Sequence, residues 1–512
     1  MKKTVALLIV TALSIVAFLP AMVRSQGQDH PQGPPQFLTR PILLRVSESA
    51  LDNGHSIFVE GPGESAMPGP LVQQLPPANY SPATTGTQSL SIIGGLDRNV
   101  SNSIGSYEGE TGASAGATNG LVLVAGSNHI YPGQCSVSAP TGGVGDCAPL
   151  AYRSLDGINW TKTALSRTWN NTTFGIGFDP GVDVDKTGTF YYTYGVAPLS
   201  GSYPNAIVMM KSTDGMNWTK ATPVTFNTNK NFDDKYYLAI DRSNSAFANR
   251  IYVSWTRNSG NNQILEMSFS SNGGSTWSAP IKVNNGTSKF ERVIGAYPAV
   301  DQSTGVVYDS WHDYARNIIY VDKSTNGGVT WGTDVAAAIT HAGFGQDIGC
   351  VGGRSQGPAH ALKVGPSGTL YLVYADPVTA HGFNILFTKS TNGGASWSTP
   401  VSLNDDTGAA DQFQPTLSVE SNGLGGDKVT VTFYDRRDDT GNCLAHVYAT
   451  QSTDNGATWS ANVRQTSAAS NFNGNPNGPG DYSSSTPWTG AVWPFFCDHR
   501  SSDYEVYTVN VQ

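Results

Sequence analysis

In a chain with only 13% Asp, Glu, Lys and Arg, charged side chains that recur at matching places are the first candidates for chemistry. One set lies where apolar segments begin. It comprises Glu108 in Tyr107-Glu108-Gly109-Glu110, Asp179 after Phe178, Asp411 before Gln412-Phe413, and Asp481 in Gly480-Asp481-Tyr482, with Asp233-Asp234-Lys235 as a further member. The other set follows aromatic segments: Asp313 with Arg316, Asp435 with Arg436 and Arg437, and Asp498 with Arg500. Paired carboxylates can act as acid, base or nucleophile at a glycosidic bond. Guanidinium forks match a carboxylate, and a tyrosine such as Tyr482 offers a stacking face and a hydroxyl. Glu108, Asp179, Asp411 and Asp481 are therefore the candidate catalytic residues. Asp313, Arg316, Asp435, Arg436, Arg437, Tyr482, Asp498 and Arg500 are the candidate binding residues. A structural reading stands beside this one, because Asp–Arg pairs that stitch neighbouring repeats together would use the same residue types.

The elements that position these groups are marked by six related segments. Two are short: Ser154-Leu-Asp156-Gly157-Ile-Asn-Trp160 and Ser212-Thr-Asp214-Gly215-Met-Asn-Trp218. Four are longer by one residue, running from Ser270 through Asn272 to Trp277, Ser324 through Asn326 to Trp331, Ser390 through Asn392 to Trp397, and Ser452 through Asp454 to Trp459. Their starting serines are 54 to 66 residues apart, a period that belongs to propellers and solenoids. Asp or Asn can close a turn on backbone N–H groups two or three residues on. Gly supplies the positive φ of a tight hairpin, and Trp fills the gap beneath it. Asp156, Asp214, Asn272, Asn326, Asn392, Asp454 and the six Trp are thus read as folding devices.

Between these segments lie short aromatic and β-branched runs such as Ile251-Tyr-Val-Ser-Trp255 and Val429-Thr-Val-Thr-Phe-Tyr434, which suit four-stranded blades. The tail from Gly480 to Val511 has three strands of a unit and no hairpin segment after them. The missing strand is expected from Ser89–Ile93, paired with Glu505–Val511. The spacing thus predicts an all-β, seven-bladed propeller, with six blades as the alternative, closed by an N-terminal strand in the last blade.

The repeated segments resemble the Asp-box (BNR) repeat of the sialidase superfamily, over roughly residues 107–512. The Asp411–Pro415, Tyr434–Arg437 and Gly480–Tyr482 phrases are similar to those of uncharacterised secreted bacterial BNR proteins. The resemblance implies a propeller acting on glycans at the central funnel, and for its enzymes three Arg on a substrate carboxylate, an acid/base Asp and a Tyr–Glu pair. The first of those Arg belongs upstream of the first box, yet no Arg or Lys occurs between Arg98 and Arg153. Two functions stay open: a glycoside hydrolase acting on an acidic sugar, and a non-catalytic carbohydrate- or protein-binding scaffold at the cell surface.

The remaining features bound the setting. Lys2 and Lys3 precede an apolar run from Val5 to Leu19, the order of a cleaved secretory signal over residues 1–25. Residues 26–88 are rich in Pro, Gly and Gln and read as a disordered linker, leaving 89–512 as the propeller. The net charge of −9 without a basic run excludes a duplex nucleic-acid partner, and no stable membrane insertion is expected once the signal is removed. Five cysteines in an exported chain suggest Cys135–Cys147 and Cys443–Cys497, with Cys350 left over. No zinc-type spacing occurs, and neither a metal nor a cofactor is implied.

Overall fold

Runs rich in Val, Ile, Tyr and Trp, each stopped by Gly, Asn or Asp, favour half-buried strands. The computed structural model describes residues 75–87, 97–116, 121–201, 203–220, 222–260, 262–286, 292–342, 348–351, 359–473 and 478–512. Among these, seven sheets are the blades, each built on an antiparallel core, and Thr168–Trp169 with Thr172–Thr173 forms a separate two-stranded ribbon. Blade 1 runs Thr111–Ala115, Leu123–Ser127, Leu150–Ser154, Thr161–Ala164, and blade 2 runs Ile176–Val184, Phe190–Ala197, Asn205–Ser212, Thr219–Lys220. Blade 3 comprises Phe232–Ile240, Ile251–Ser259, Asn262–Ser270 and Ile281–Lys282. In blade 4 two short pieces, Val293–Ile294 and Ala299–Val300, pair with Val307–Asp313, and Ile318–Ser324 and Val335–Ile339 follow. Blade 5 comprises His360–Val364, Leu370–Val378, Gly382–Ser390 and Val401–Ser402. Blade 6 comprises Gln412–Ser421, Asp427–Asp435, His446–Ser452 and Val463–Arg464, and blade 7 opens with Ser484–Trp488, Ala491–Asp498 and Glu505–Thr508.

Each first strand packs on the first strands of its two flanking blades, and that of blade 7 returns to blade 1, so the sheets close into a ring. The chain is a seven-bladed β-propeller. Its core is divided into layers between blades. Trp255 and Val253 of blade 3, for example, meet Ile207 and Met209 of blade 2, and Trp493 and Phe495 of blade 7 meet Leu123 and Tyr152 of blade 1.

The fourth strand of blade 7 comes from the N-terminal side, as expected, but from Arg98–Asn99, which pairs antiparallel with Tyr507 and Thr508. Ser89–Ile93 lies outside the described residues, as do residues 1–74 with the expected signal segment. Arg500 reinforces the closure by pairing with Asp97 and with Asp498.

The last part of the expected linker is placed on the propeller. Ser81–Pro82 adds a parallel strand to Val401–Ser402 at the outer edge of blade 5, and Thr85 bridges to Trp459 of blade 6. Tyr80 fastens this strap. Its hydroxyl donates to Asp376 Oδ2 at 3.1 Å and lies 3.1 Å from His341 Nδ1. Burial, reinforced by the Asp376 charge, pushes the Tyr80 phenol up.

Cys135 and Cys147 are bonded as expected, but Cys443 pairs with Cys350, and Cys497 is the buried free thiol. Cys497 ends the second strand of blade 7 and points into the apolar layer against blade 6. Cys443 lies in a loop beyond the corresponding strand of blade 6, where residues 348–351 reach it. Matching strand number did not mean matching height along the blade.

The six hairpin segments share one hydrogen-bond plan. In the short ones, Asp156 Oδ1 accepts from the N–H groups of Ile158 and Asn159, both at 2.8 Å, and Asp214 does the same for Met216 and Asn217. In the longer ones the acceptor reaches four residues on, as Asn272 does to Thr276 N at 2.9 Å. The leading Ser, unassigned at first, accepts from the Gly N–H: Ser154 from Gly157 at 2.8 Å and Ser452 from Gly456 at 2.8 Å. Gly456 has φ +70°, and a Cβ there would lie 2.5 Å from the Phe387 ring of blade 5. Conformation and close approach both demand glycine. The Trp are less deeply covered than expected. Trp459 is 2% exposed, whereas Trp160, Trp218, Trp277, Trp331 and Trp397 are half-buried.

Candidate functional site

At the start of several first strands the antiparallel register slips by one residue. The extra residue adopts positive φ, and slips of this kind re-aim a side chain. Slips are recorded in blades 2, 3 and 6 around Asp179, Lys235 and Gln414. Glu110 has φ 53°, Asp179 54°, Lys235 49° and Gln414 47°, while Gly295 of blade 4 and Gly480 of blade 7 take the same place at 79° and 82°. The matching residues of blade 5 lie outside the described residues. Two blades thus use glycine, which adopts this conformation without steric cost. Four use polar or charged residues, at about 1–3 kcal/mol of strain each.

Glu110, Asp179 and Lys235 join one hydrogen-bond network near the axis, and Gln414 reaches it through Gly480. Asn128 Nδ2 donates to Glu110 Oε2 at 2.5 Å, while its Oδ1 accepts from Asp179 N at 2.7 Å. Asp179 Oδ2 accepts from Lys235 N at 3.3 Å, and Glu110 Oε1 accepts from Asp481 N at 3.2 Å. Lys235 Nζ pairs with Asp481 Oδ2. Blades 3 and 7 are not neighbours in the ring, so this pair spans the axis. Gln414 Nε2 donates to Gly480 O, and its Oε1 accepts from Ser483 Oγ at 3.2 Å. Glu110, Asp179, Asp234 and Lys235 are all buried, at 1–5% exposure.

Two residues further along, the first strands of blades 3, 4, 5 and 7 carry an aromatic strip. Tyr237 and Tyr297 have ring centroids 4.7 Å apart, Tyr482 meets Tyr237 edge-on at 5.1 Å, and His360 lies 6.2 Å from Tyr297. Tyr237, Tyr297 and His360 are half-buried. The Tyr482 hydroxyl is buried and, among the described residues, has no hydrogen-bond partner. Burial first, then the charges of Asp179 and Glu110, push that phenol up. On blades 1 and 2 the corresponding residues are Gly112 and Gly181. A Cβ on Gly112 would lie 2.8 Å from Pro180 O of the next blade.

The structure therefore brings Asp179, Asp481 and Tyr482 together and separates the other candidates from them. Glu108 sits behind the cluster, bonded to His129 Nδ1 at 2.6 Å. Asp411 accepts from Asn442 Nδ2 at 2.6 Å and Phe383 N at 2.9 Å and lies 3.4 Å from Arg436 Nη1. Burial pushes its carboxyl up against these interactions. Arg436 is fully buried over the Phe413 ring, donating to Gly349 O at 2.7 Å.

The Asp–Arg pairs are compact turn devices. Arg437 Nε donates to Asp435 Oδ2 at 2.8 Å, and its Nη atoms reach Asp405 at 2.5 Å and Asn462 at 2.8 Å. Arg500 does the same with Asp498 and Asp97. Burial opposes the charge of both guanidinium groups, but the carboxylates beside them outweigh it and hold both above their ordinary range. Arg437 thus meets Asp435 within its own blade and Asp405 in the segment that leaves blade 5, a tie between neighbouring blades, whereas Arg500 is held by Asp498 and by Asp97 ahead of the strand that completes blade 7. Asp313 pairs with Arg316, the most exposed of these guanidinium groups at 46%.

Glu110 and Lys235 stood in the charged phrases read from the sequence but were given no role there, and Asn128, Tyr237, Tyr297, Gln414 and His360 were not singled out. A signal was there. Lys235-Tyr-Tyr237, Gly295-Ala-Tyr297 and Gly480-Asp-Tyr482 share Tyr two residues after the positive-φ position.

No family model matches the chain, and no curated protein does. Among solved structures, the chain is similar to a protein of unknown function from Dyadobacter fermentans, at 16% identity and TM-score 0.44, with 66% of this chain and 93% of that chain covered. A Hadza microbial sialidase is 15% identical at TM-score 0.41, with 72% and 75% covered. The intramolecular trans-sialidase of Ruminococcus gnavus is 15% identical at TM-score 0.40, with 82% and 97% covered. No residue role is carried over from them.

Among the described residues, no group of three or more His, Cys, Asp or Glu is arranged to hold a metal ion. No helix there is long and apolar enough to cross a membrane.

Proposed function

We propose that this chain is a secreted, glycan-directed propeller whose ligand meets the axis, with hydroxyls on the polar cluster and an apolar sugar face on Tyr237 and Tyr297. The observation that carries this reading is the strained positive-φ set Glu110, Asp179, Lys235 and Gln414, at a place where two other blades use glycine. Strain kept where a relaxed residue would serve points to the side chains. Aromatic faces beside directional acceptors suit a sugar.

As a glycoside hydrolase, Asp179 and Asp481 would be the carboxylates flanking the bond, with Lys235 between them. The cluster holds more carboxylates than cations, and Arg437 and Arg500 are committed to Asp partners. A neutral, hydroxyl-rich sugar therefore suits it better than the acidic sugar first expected. The scaffold reading draws on the same saturation of the Arg residues.

The test is a glycan array and reporter-glycoside panel, sialyl and uronyl probes included, on the full chain and on Tyr297→Ala. A neutral glycan bound by the parent and at least tenfold weaker in the variant supports the reading. Binding of no glycan, or binding indifferent to Tyr297, overturns it.

A further inference from the structure

The stub of strand formed by residues 107–110 against 128–130 carries a second polar group beside the axial cluster. Glu108 is fully buried, and its Oε1 accepts from Ser106 Oγ at 2.7 Å and from His129 Nδ1 at 2.6 Å. Among the described residues, its buried Oε2 has no hydrogen-bond partner. The His129 ring, 4% exposed, has its edge against Tyr131 at 4.9 Å. Among the described residues, nothing is hydrogen-bonded to His129 Nε2, and that atom is not among the buried unpartnered ones. The residue before it, Asn128, is the one that joins Glu110 to Asp179.

A carboxylate on Nδ1 does two things for an imidazole. It fixes the tautomer that keeps the lone pair on Nε2, and it balances the charge formed when Nε2 takes a proton. A histidine kept only for packing needs neither the buried carboxylate nor the open nitrogen. Burying that carboxylate, with one oxygen unpartnered, is itself costly.

We propose that His129 is a proton-accepting residue of the axial site and Glu108 its positioning residue, so that Glu108 acts through His129 rather than on the ligand. In the step, Nε2 takes the proton of a water or sugar hydroxyl as that oxygen bonds to the anomeric carbon. The O–H bond breaks and the Nε2–H bond forms, while the glycosidic C–O bond breaks with its electron pair passing to the departing oxygen. The imidazolium is balanced by Glu108, and the proton returns to the product oxygen.

This inference rests on the glycan reading, but part of its test does not. Diethyl pyrocarbonate modification of the full chain, mapped by mass spectrometry, should modify His129 at least tenfold faster than the buried His312. Glu108→Gln, which keeps the shape of the pair, should slow modification of His129 at least threefold. Unmodified His129 in the native chain overturns the proposal, as does a rate indifferent to Glu108. On any reporter glycoside the chain cleaves, His129→Gln should lower kcat at least 100-fold with KM within threefold, and full turnover in that variant also overturns it. A chain that cleaves no reporter leaves the hydrolase reading failed, while the modification rates still decide the role of His129.

Discussion

Lys235 and Asp481 form an ion pair across the axis of the ring, from blades that share no edge. Each is at most 10% exposed at the side chain. Removing one member of such a pair strands a buried charge, whereas removing both does not. Lys235→Met should therefore cost about 3–5 kcal/mol, and the double variant with Asp481→Asn should recover at least half of that loss. Urea unfolding of the four chains measures the coupling, and additive losses would show that the pair carries no cross-axis tie.

The positive-φ positions predict an inverted preference between alanine and glycine. Within an ordinary strand, Gly is the worse replacement. At Asp179, with φ 54°, the Gly variant should be about 1–2 kcal/mol more stable than the Ala variant. Both lose the same carboxylate, so the difference isolates the backbone. Equal midpoints in urea would remove the strain argument on which the proposed site depends.

Asp309 offers a test through pH. It is fully buried between blades 3 and 4, and burial holds its carboxyl well above the ordinary range, with Ser254 and the backbone opposing this only in part. A folded-state pKa above the unfolded value gives stability that is complete below the unfolded value of about 4. That stability is lost as pH rises through the folded value. Asp309→Asn, which carries no titrating proton, should gain on the parent steadily from about pH 4 towards neutrality. Melting temperatures of both chains across that range decide it, and a gap that does not change with pH would sink the idea.

The hairpin tryptophans should divide by burial. Trp459 is 2% exposed and packs edge-on at 4.9 Å against Phe387 of blade 5, so Trp459→Ala should cost about 3–5 kcal/mol. Trp331, half-buried, should cost clearly less. Matching losses in urea titrations would mean that the turn, rather than the buried area, sets the contribution.

The repeats were legible because their signals are local. Ser154 to Trp160 and its five counterparts each hold their turn chemistry within eight residues, and their period leads directly to blades and ring closure. Cys135 and Cys147 were legible for the same reason, twelve residues apart. The Cys350–Cys443 bond was not, because it depends on how far two loops rise above their blades. Nor was the axial cluster. Lys235 and Asp481 are separated by 246 positions, and what aims Lys235 is a one-residue register slip that hydrophobic patterning does not reveal. The Asp-x-Arg phrases at Asp435–Arg437 and Asp498–Arg500 were conspicuous, yet their partners, Asp405, Asn462 and Asp97, lie in stretches that looked featureless.

The strap has a mechanical consequence. Tension applied to the chain ahead of residue 75 meets the contacts of Pro77 and Ala78 with Val378 and Thr379, then the Tyr80 fastening at Asp376 and the parallel pairing of Ser81–Pro82 with Val401–Ser402. Pulled along its length, such a strand loads its hydrogen bonds together in shear rather than peeling them one by one. The closing strand, Arg98–Asn99, lies downstream of this anchor and carries load only after the anchor has slipped. A propeller held by its N-terminal side can thus be tugged without opening its ring.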